Sequence, residues 1–164
     1  VIEAALKAYN IPSNLNRKSF GFQNWKNYDA ALWEKLKDQA RAAIKKEGVP
    51  IVGSDKNLRA IRAAEENVVN AGLQDKIQLI KKDFARLDPP FPDGIIITNP
   101  PYGTHGLGDA FVRRALIHAR QTGGSVAMLL NLRSLANPDR HKKFIKTPPA
   151  AIYFLDELTC WPEG

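Results

Sequence analysis

The sequence holds one cysteine and one methionine, and it lacks any apolar run near the ~20 residues that a membrane-spanning helix needs. A single cysteine, Cys160, cannot form an internal disulfide or a cysteine-based zinc site, and we interpret it as a bystander. The opening residues, with the acidic Glu3, predict an amphipathic helix rather than a secretory leader. We therefore predict a cytoplasmic protein with no bound metal and no membrane partner.

Acidic side chains are scarce in residues 99–146, which hold eight Lys and Arg against two Asp and Glu in a chain of net charge +7. A concentrated positive charge is typical of proteins that bind nucleic acid, so RNA or DNA is the expected partner. Ordinary solvated surface charge remains an alternative for any one of these residues. The candidate phosphate contacts are Arg113, Arg114, Arg120, Arg133, Arg140, Lys142 and Lys143.

Apolar residues recur at helical spacing in some segments and as short continuous runs in others. The predicted helices are 1–9, 30–47, 57–71, 109–121 and 138–146, and the predicted strands are 50–55, 77–80, 94–98, 125–130 and 151–155. This alternation predicts an α/β fold, a mostly parallel sheet with helices on both faces. An irregular stretch, residues 11–29, carries Phe20, Phe22, Trp25 and Tyr28 among basic and amide side chains.

Polar residues follow three of the predicted strands at their carboxyl ends, namely Asp55, Asp83 and Asn99. Ligands of parallel α/β sheets bind at the carboxyl edge of the strands. This edge is therefore the predicted site.

The tetrapeptide Asn99-Pro100-Pro101-Tyr102 carries the predicted chemistry. The amine on a purine ring is a poor nucleophile, and the Asn99 oxygen together with a neighbouring carbonyl could accept its hydrogens as a methyl group arrives. The two prolines fix the backbone that holds this carbonyl. Tyr102 offers a face on which a flipped-out base could stack, worth about 1–3 kcal/mol. A simple turn after a strand is the alternative.

Two acidic positions are candidates for holding a nucleotide-like cofactor. Asp55, with Lys56 beside it, could accept hydrogen bonds from both ribose hydroxyls, although an Asp here could instead cap the helix that begins near Leu58. Asp83 could accept from an adenine amino group while Phe84 packs against the ring; a turn Asp beside a core Phe is the alternative. The spacing to the later motif favours the cofactor interpretation for Asp55.

Residues 1–103 resemble the catalytic domain of the THUMP-linked ribosomal RNA guanine-N2 methyltransferases, a family long labelled as adenine-specific DNA methylases. The segments that carry the resemblance are IEAAL, FGFQNW, DAALWEKL, IVGSD, RAIRAAEENVVNAG, KKDFARL and TNPPYG. The resemblance implies S-adenosyl-L-methionine as cofactor, with its ribose on Asp55 and its adenine on Asp83. It also implies that Asn99, Pro100 and Tyr102 hold the target base.

The sequence departs from that family in two places. The family carries a glycine-rich loop and its central strand just before a segment like IEAAL, whereas this sequence begins at Val1. The resemblance thus implies a Rossmann-like class I methyltransferase sheet without its first strand, with residues 1–164 forming one partial catalytic domain truncated at both ends. Downstream, GGSVAMLLNLRSLANPDRHKKF and PPAAIYFLDE are more similar to phage-type adenine-N6 DNA methyltransferases.

Four functions stay open at this point. The leading hypothesis is methylation of guanine N2 in large-subunit ribosomal RNA, and its nearest rival is methylation of adenine N6 in DNA. A related group with the same tetrapeptide methylates glutamine side chains of release factors, which the basic charge disfavours. The last hypothesis is an inactive fragment or nucleic-acid-binding module without turnover.

Overall fold

The structure of the protein is a computed structural model that describes residues 1–101, 106–131 and 138–155, with the backbone alone for residues 138–141. The chain divides into two compact units, Val1–Asp93 and Gly94–Gly164, each with helices and strands of its own. Within the described ranges, no helix is long and apolar enough to cross a membrane.

The first unit has the predicted alternation of strand, helix and strand. Its elements are α1 (Ile2–Ala8), a 3-10 turn (Gly21–Asn24), α2 (Ala30–Ala42), β1 (Ile51–Asp55), α3 (Leu58–Asn70), β2 (Ile77–Lys81) and a second 3-10 turn (Phe84–Arg86). The strands pair in parallel, with Ile51 opposite Ile77 and Asp55 opposite Lys81. Both strands therefore end at the same edge.

Helix α3 connects the two strands and covers them. Asn57 precedes the helix, and its side chain accepts the Arg59 N–H at 2.9 Å and so caps the first turn. Ile61 and Val68 lie two turns apart and are both buried. The core of the unit consists of Ala5, Val68, Leu73 and Ile77. A helix with one apolar face thus closes the parallel pair from one side.

Helix α2 is shorter than the predicted 30–47, and that prediction was wrong at its carboxyl end. The Asn10 side chain donates to the Ala43 carbonyl at 2.9 Å, and the Lys45 N–H donates to the Tyr9 carbonyl at 2.8 Å. The residues after Ala43 therefore bond to the segment that follows α1. Contacts between segments distant in sequence end this helix before its apolar pattern does.

The second unit repeats the alternation. Its described elements are β3 (Ile95–Thr98), α4 (Leu107–Thr122), β4 (Ser125–Met128) and α5 (Pro138–Lys146). β3 and β4 pair in parallel, with Ile95 opposite Ser125 and Thr98 opposite Met128. Helix α4 packs on both strands and buries Ala115 and His118. The helices and strands predicted between residues 94 and 146 are confirmed to within a few residues.

Two consecutive glycines join α4 to β4. Gly123 has a φ of +68°, a left-handed conformation that disfavours side chains. At Gly124 an added Cβ would lie 2.5 Å from the carbonyl oxygen of Gly94, the acceptor for the Ser125 N–H at 2.9 Å. This close approach starts the pairing of β3 with β4.

The strand predicted over residues 151–155 is not formed. These residues are described without strand structure, and their large apolar side chains are exposed, as far as 85% for Tyr153. A strand requires a neighbour whose backbone pairs with it, and the described part of the chain offers none to this segment.

Candidate functional site

Asp55 and the segment that leads to Asp83 lie at the carboxyl edge of the β1–β2 pair. Asp55 is the last residue of β1 and stands opposite Lys81, the last residue of β2. One residue later, the Lys82 N–H donates to the Asp55 carbonyl at 3.0 Å, which extends the pairing to the next residue. Asp83 follows directly. The predicted convergence of these two carboxylate positions on one edge is therefore supported by the backbone pairing.

The Asp55 side chain does not cap α3. Its Oδ1 accepts the N–H of Asn57 at 2.7 Å, and Asn57 itself accepts the Arg59 N–H. The capping alternative for Asp55 is therefore wrong. The residue that caps α3 is Asn57, which the sequence analysis did not identify. Asp55 is exposed, and among the described residues its second carboxylate oxygen has no hydrogen-bond donor. This oxygen is free to accept from a ligand.

Asp83 opens the second 3-10 turn, and its Oδ1 accepts the Ala85 N–H at 2.9 Å. Asp83 therefore does stabilise a turn, as the alternative interpretation proposed. It uses one oxygen and leaves the other without a donor in the described structure. Phe84 is half-buried beside it, and Lys56, next to Asp55, is exposed. The edge therefore presents two hydrogen-bond-accepting carboxylates and a partly accessible aromatic ring, and these groups are suited to ribose hydroxyls and an adenine ring.

Asn99 begins the loop that leaves β3 in the second unit. The strand end is fixed because the Leu129 N–H donates to the Thr98 carbonyl at 3.1 Å. Asn99 is exposed, and its side chain makes no hydrogen bond to the described residues, whereas Pro100 is fully buried. A buried, conformationally fixed proline thus anchors the backbone beside an accessible amide. Tyr102 lies outside the described residues.

The basic candidates of the second unit differ in how they are engaged. Arg113 and Lys142 are exposed, while Arg114 is half-buried and makes a further interaction. Lys143 Nζ lies 2.7 Å from Asp109 Oδ2, and Arg120 Nη2 lies 3.0 Å from Thr147 Oγ1. Arg133 and the side chain of Arg140 lie outside the described residues.

These contacts sort the basic candidates by role. Lys143 joins α5 to α4, and Arg120 joins the residue after α5 to α4. Arg113 and Lys142 are the described candidates whose accessibility suits a phosphate contact.

A comparison with protein families matches residues 1–136 to UPF0020, described as RMKL-like, methyltransferase domain. Among curated proteins, the Ribosomal RNA large subunit methyltransferase K/L of Shewanella baltica (strain OS185) is 37% identical over 107 residues, 63% of this chain. The chain spans 15% of the length of that relative.

Solved structures also resemble the chain. A predicted N6-adenine-specific DNA methylase from Listeria monocytogenes str. 4b F2365 has a TM-score of 0.68 at 28% identity, with 81% of this chain and 36% of the other covered. A possible methylase from Clostridium difficile 630 has a TM-score of 0.65 at 28% identity, with 77% and 35% covered. The predicted α/β fold class is confirmed by these neighbours.

Proposed function

Because the chain belongs to the RMKL-like methyltransferase domain family, we propose that it transfers a methyl group from S-adenosyl-L-methionine to the exocyclic amino group of a nucleic-acid base. The best candidate for the acceptor is guanine N2 in large-subunit ribosomal RNA. The name and the 37% identity of the Shewanella baltica relative support an RNA acceptor, and the motif resemblance supports guanine N2.

The observation that carries the proposal is the position of Asn99, exposed and directly after the fixed end of β3. Its side-chain oxygen accepts one hydrogen of the target amino group, and the carbonyl of the buried Pro100 accepts the other. These two acceptors draw the nitrogen lone pair out of conjugation with the ring, which raises its nucleophilicity. Tyr102 stacks on the extruded base. The proton becomes acidic once the amine is methylated, so the reaction needs no strong general base.

The residues of the first unit fit the cofactor. S-adenosyl-L-methionine supplies an electrophilic methyl group when it is bound. The free oxygen of Asp55 accepts from the ribose hydroxyls, with the exposed Lys56 beside it. The free oxygen of Asp83 accepts from the adenine amino group, and Phe84 packs against the ring. Both carboxylates are already oriented by their own turns, so little rearrangement is required on binding.

Phosphate contacts complete the proposed substrate site. Arg113 and Lys142 neutralise backbone phosphates and make binding salt-dependent. The remaining candidates for phosphate contacts are Arg114, Arg133, Arg140 and Lys143. Because phosphate contacts carry no sequence information, these residues position the strand while the loop at Asn99 selects the base.

Methylation of adenine N6 in DNA is the second candidate. It is favoured by the name and the 28% identity of the Listeria monocytogenes neighbour, and by the similarity of the downstream segment to phage-type adenine methyltransferases. The loop chemistry serves both bases, because each presents an amino group conjugated with the purine ring. The remaining alternative is an inactive fragment or a nucleic-acid-binding module without turnover.

Label transfer separates these functions. The protein is incubated with methyl-labelled S-adenosyl-L-methionine and, in parallel, with unmodified large-subunit ribosomal RNA transcribed in vitro or with unmethylated double-stranded DNA. We expect label in the RNA and little in the DNA. Label confined to DNA would overturn the RNA acceptor, and a protein that binds the cofactor but labels neither acceptor would overturn catalysis of base methylation.

A further inference from the structure

The segment from Asn10 to Tyr28, which joins α1 to α2, has an unusual composition that the proposed active site does not use. It contains four aromatic residues, three cations and six amide side chains, without a single carboxylate. Aromatic rings interleaved with cations and hydrogen-bonding amides are typical of surfaces that bind single-stranded nucleic acid. The segment is therefore a candidate binding surface.

The rings of this segment form one cluster around Phe22. The Phe22 ring centroid lies 5.0 Å from that of Trp33 on α2 and 5.4 Å from that of Phe20. Tyr28 and Trp25 contact the same ring at 6.1 and 6.3 Å. These separations are those of favourable aromatic pairs. We call these five residues the aromatic cluster; it orders a segment that has little regular secondary structure.

The aromatic cluster lies at the surface rather than in the core. None of its residues is buried, α2 has no buried residue, and Trp25 is 67% exposed. Its ring contacts that of Phe22 at an interplanar angle of 65°, and most of the residue stays accessible. Leaving so large an apolar ring in water is unfavourable, so a flat partner that covers it would gain hydrophobic stabilisation.

The charges around the aromatic cluster favour an anionic partner. Arg17 lies 5.0 Å from the Phe20 ring centroid, while Lys18 and Lys26 are exposed and have no ion pair with described residues. The carboxylates of the neighbouring helix α2 are locally engaged. Asp29 caps the helix, Glu34 pairs with Lys37 at 2.7 Å, and Asp38 pairs with Arg41 at 3.0 Å. The net charge on this surface is therefore positive.

A cleft of about 230 Å³ adjoins the aromatic cluster. Residues Pro12 to Leu15 line one side, and Trp33, Leu36 and Ala40 of α2 line the other. Its walls are mostly apolar, although Ser13 and Asn14 are among the lining residues. Such a cleft suits the apolar face of a planar heterocycle.

We infer that the aromatic cluster and the adjoining cleft form a subsite for single-stranded RNA, on which unpaired bases of the RNA substrate stack. The inference rests on the proposed function, which supplies RNA as the substrate. Bases stack on Trp25. Arg17 and the two exposed lysines neutralise the adjacent phosphates, and the exposed amides of Asn16, Asn24 and Asn27 bond to base edges. Single strands fit because their bases are unpaired and can reach the indole face.

Fluorescence anisotropy with a labelled, unstructured RNA oligonucleotide tests the subsite directly. Trp25→Ala should weaken binding about 5- to 100-fold, the loss expected for one stacked base, while Trp25→Phe should retain most of the affinity. Tyr153→Ala is the matched control, since it removes another exposed aromatic ring and should leave RNA affinity unchanged. Circular dichroism checks that each variant is folded.

Equal RNA affinity for Trp25→Ala and the unmodified protein would overturn the subsite. A Trp25-dependent preference for duplex RNA or for DNA would also overturn it. So would dimers that depend on Trp25 and form without RNA in sedimentation experiments. Parallel label transfer separates this failure from failure of the proposed function. Methyl transfer to RNA with no effect of Trp25 refutes the subsite alone. RNA binding that depends on Trp25, in a protein that binds the cofactor but transfers no methyl group, supports the subsite and refutes the proposed function.

Discussion

Asp55 stands opposite Lys81 in the parallel pairing of β1 and β2, and its carbonyl accepts the N–H of the following residue, Lys82, at 3.0 Å. The register of the strands, rather than a long loop, thus brings the positions of Asp55 and Asp83 to one edge. Sites built on paired strands are positioned more exactly than sites on loops alone. The first prediction concerns the carboxylate that this register fixes.

Asp55→Asn should weaken cofactor binding about 10- to 100-fold, the loss expected when a hydrogen bond to a charged acceptor is removed. The amide oxygen can still accept the Asn57 N–H, so the local turn should persist. Calorimetric titration with S-adenosylhomocysteine measures the effect.

Asp75→Asn is the control for that titration. Asp75 precedes β2 at the end opposite to the proposed site, and the hydrogen bond from Lys76 at 2.6 Å holds the pKa of Asp75 below its ordinary value. It is therefore a charged carboxylate at neutral pH, and its replacement should leave cofactor affinity unchanged. Equal affinities for the Asp55 and Asp75 variants would contradict the ribose role.

Arg113→Ala should reduce the salt dependence of RNA binding. The loss of one phosphate contact reduces the magnitude of the negative slope of log K against log salt by about 1, and it weakens binding to all sequences alike. Arg62→Ala, on the exposed surface of α3, serves as the control and should not change the slope. If both variants keep the unmodified slope, Arg113 is ordinary surface charge.

Leu73→Ala should lower the free energy of unfolding by about 2–5 kcal/mol, because Leu73 is 1% exposed and its truncation leaves a cavity in the core of the first unit. Val69→Ala, at a position 60% exposed, should change it by no more than about 0.5 kcal/mol. Urea denaturation followed by circular dichroism compares the two. Similar losses would mean that Leu73 is not part of the core.

Asn57→Ala should destabilise the protein by about 1 kcal/mol, since the first turn of α3 loses its side-chain cap. Asn57→Ser keeps an acceptor for the Arg59 N–H and should restore most of that stability. The same urea titration measures both variants. A serine variant as unstable as the alanine variant would indicate that the cap contributes little.

Local patterns in the sequence predicted much of the fold. The apolar spacing of α3 and the apolar runs of β1 and β3 depend on neighbouring residues, and all three elements lie where these patterns predicted them. The resemblance to a methyltransferase family is confirmed by the match over residues 1–136. The position of Asn99 directly after β3 also agrees with the predicted end of that strand.

The errors arise where distant residues decide the structure. Helix α2 ends early because Asn10 and the Tyr9 carbonyl bond to the chain beyond it. Asp55 was considered as an alternative cap of α3, and Asn57, which carries the cap, was missed, since both residue types cap helices and spacing alone does not separate them. The clustering of Phe22 with Trp33 joins two segments whose approach no periodicity encodes.

The identity of the methylated nucleoside tests the central claim most directly. Unmodified ribosomal RNA is incubated with the protein and labelled S-adenosyl-L-methionine, digested to nucleosides and separated by chromatography. The account predicts label in N2-methylguanosine and a loss of about 10²- to 10³-fold in rate for Asn99→Ala, with cofactor binding retained. Label in N6-methyladenosine, or an Asn99→Ala variant that transfers methyl groups at the unmodified rate, would contradict it.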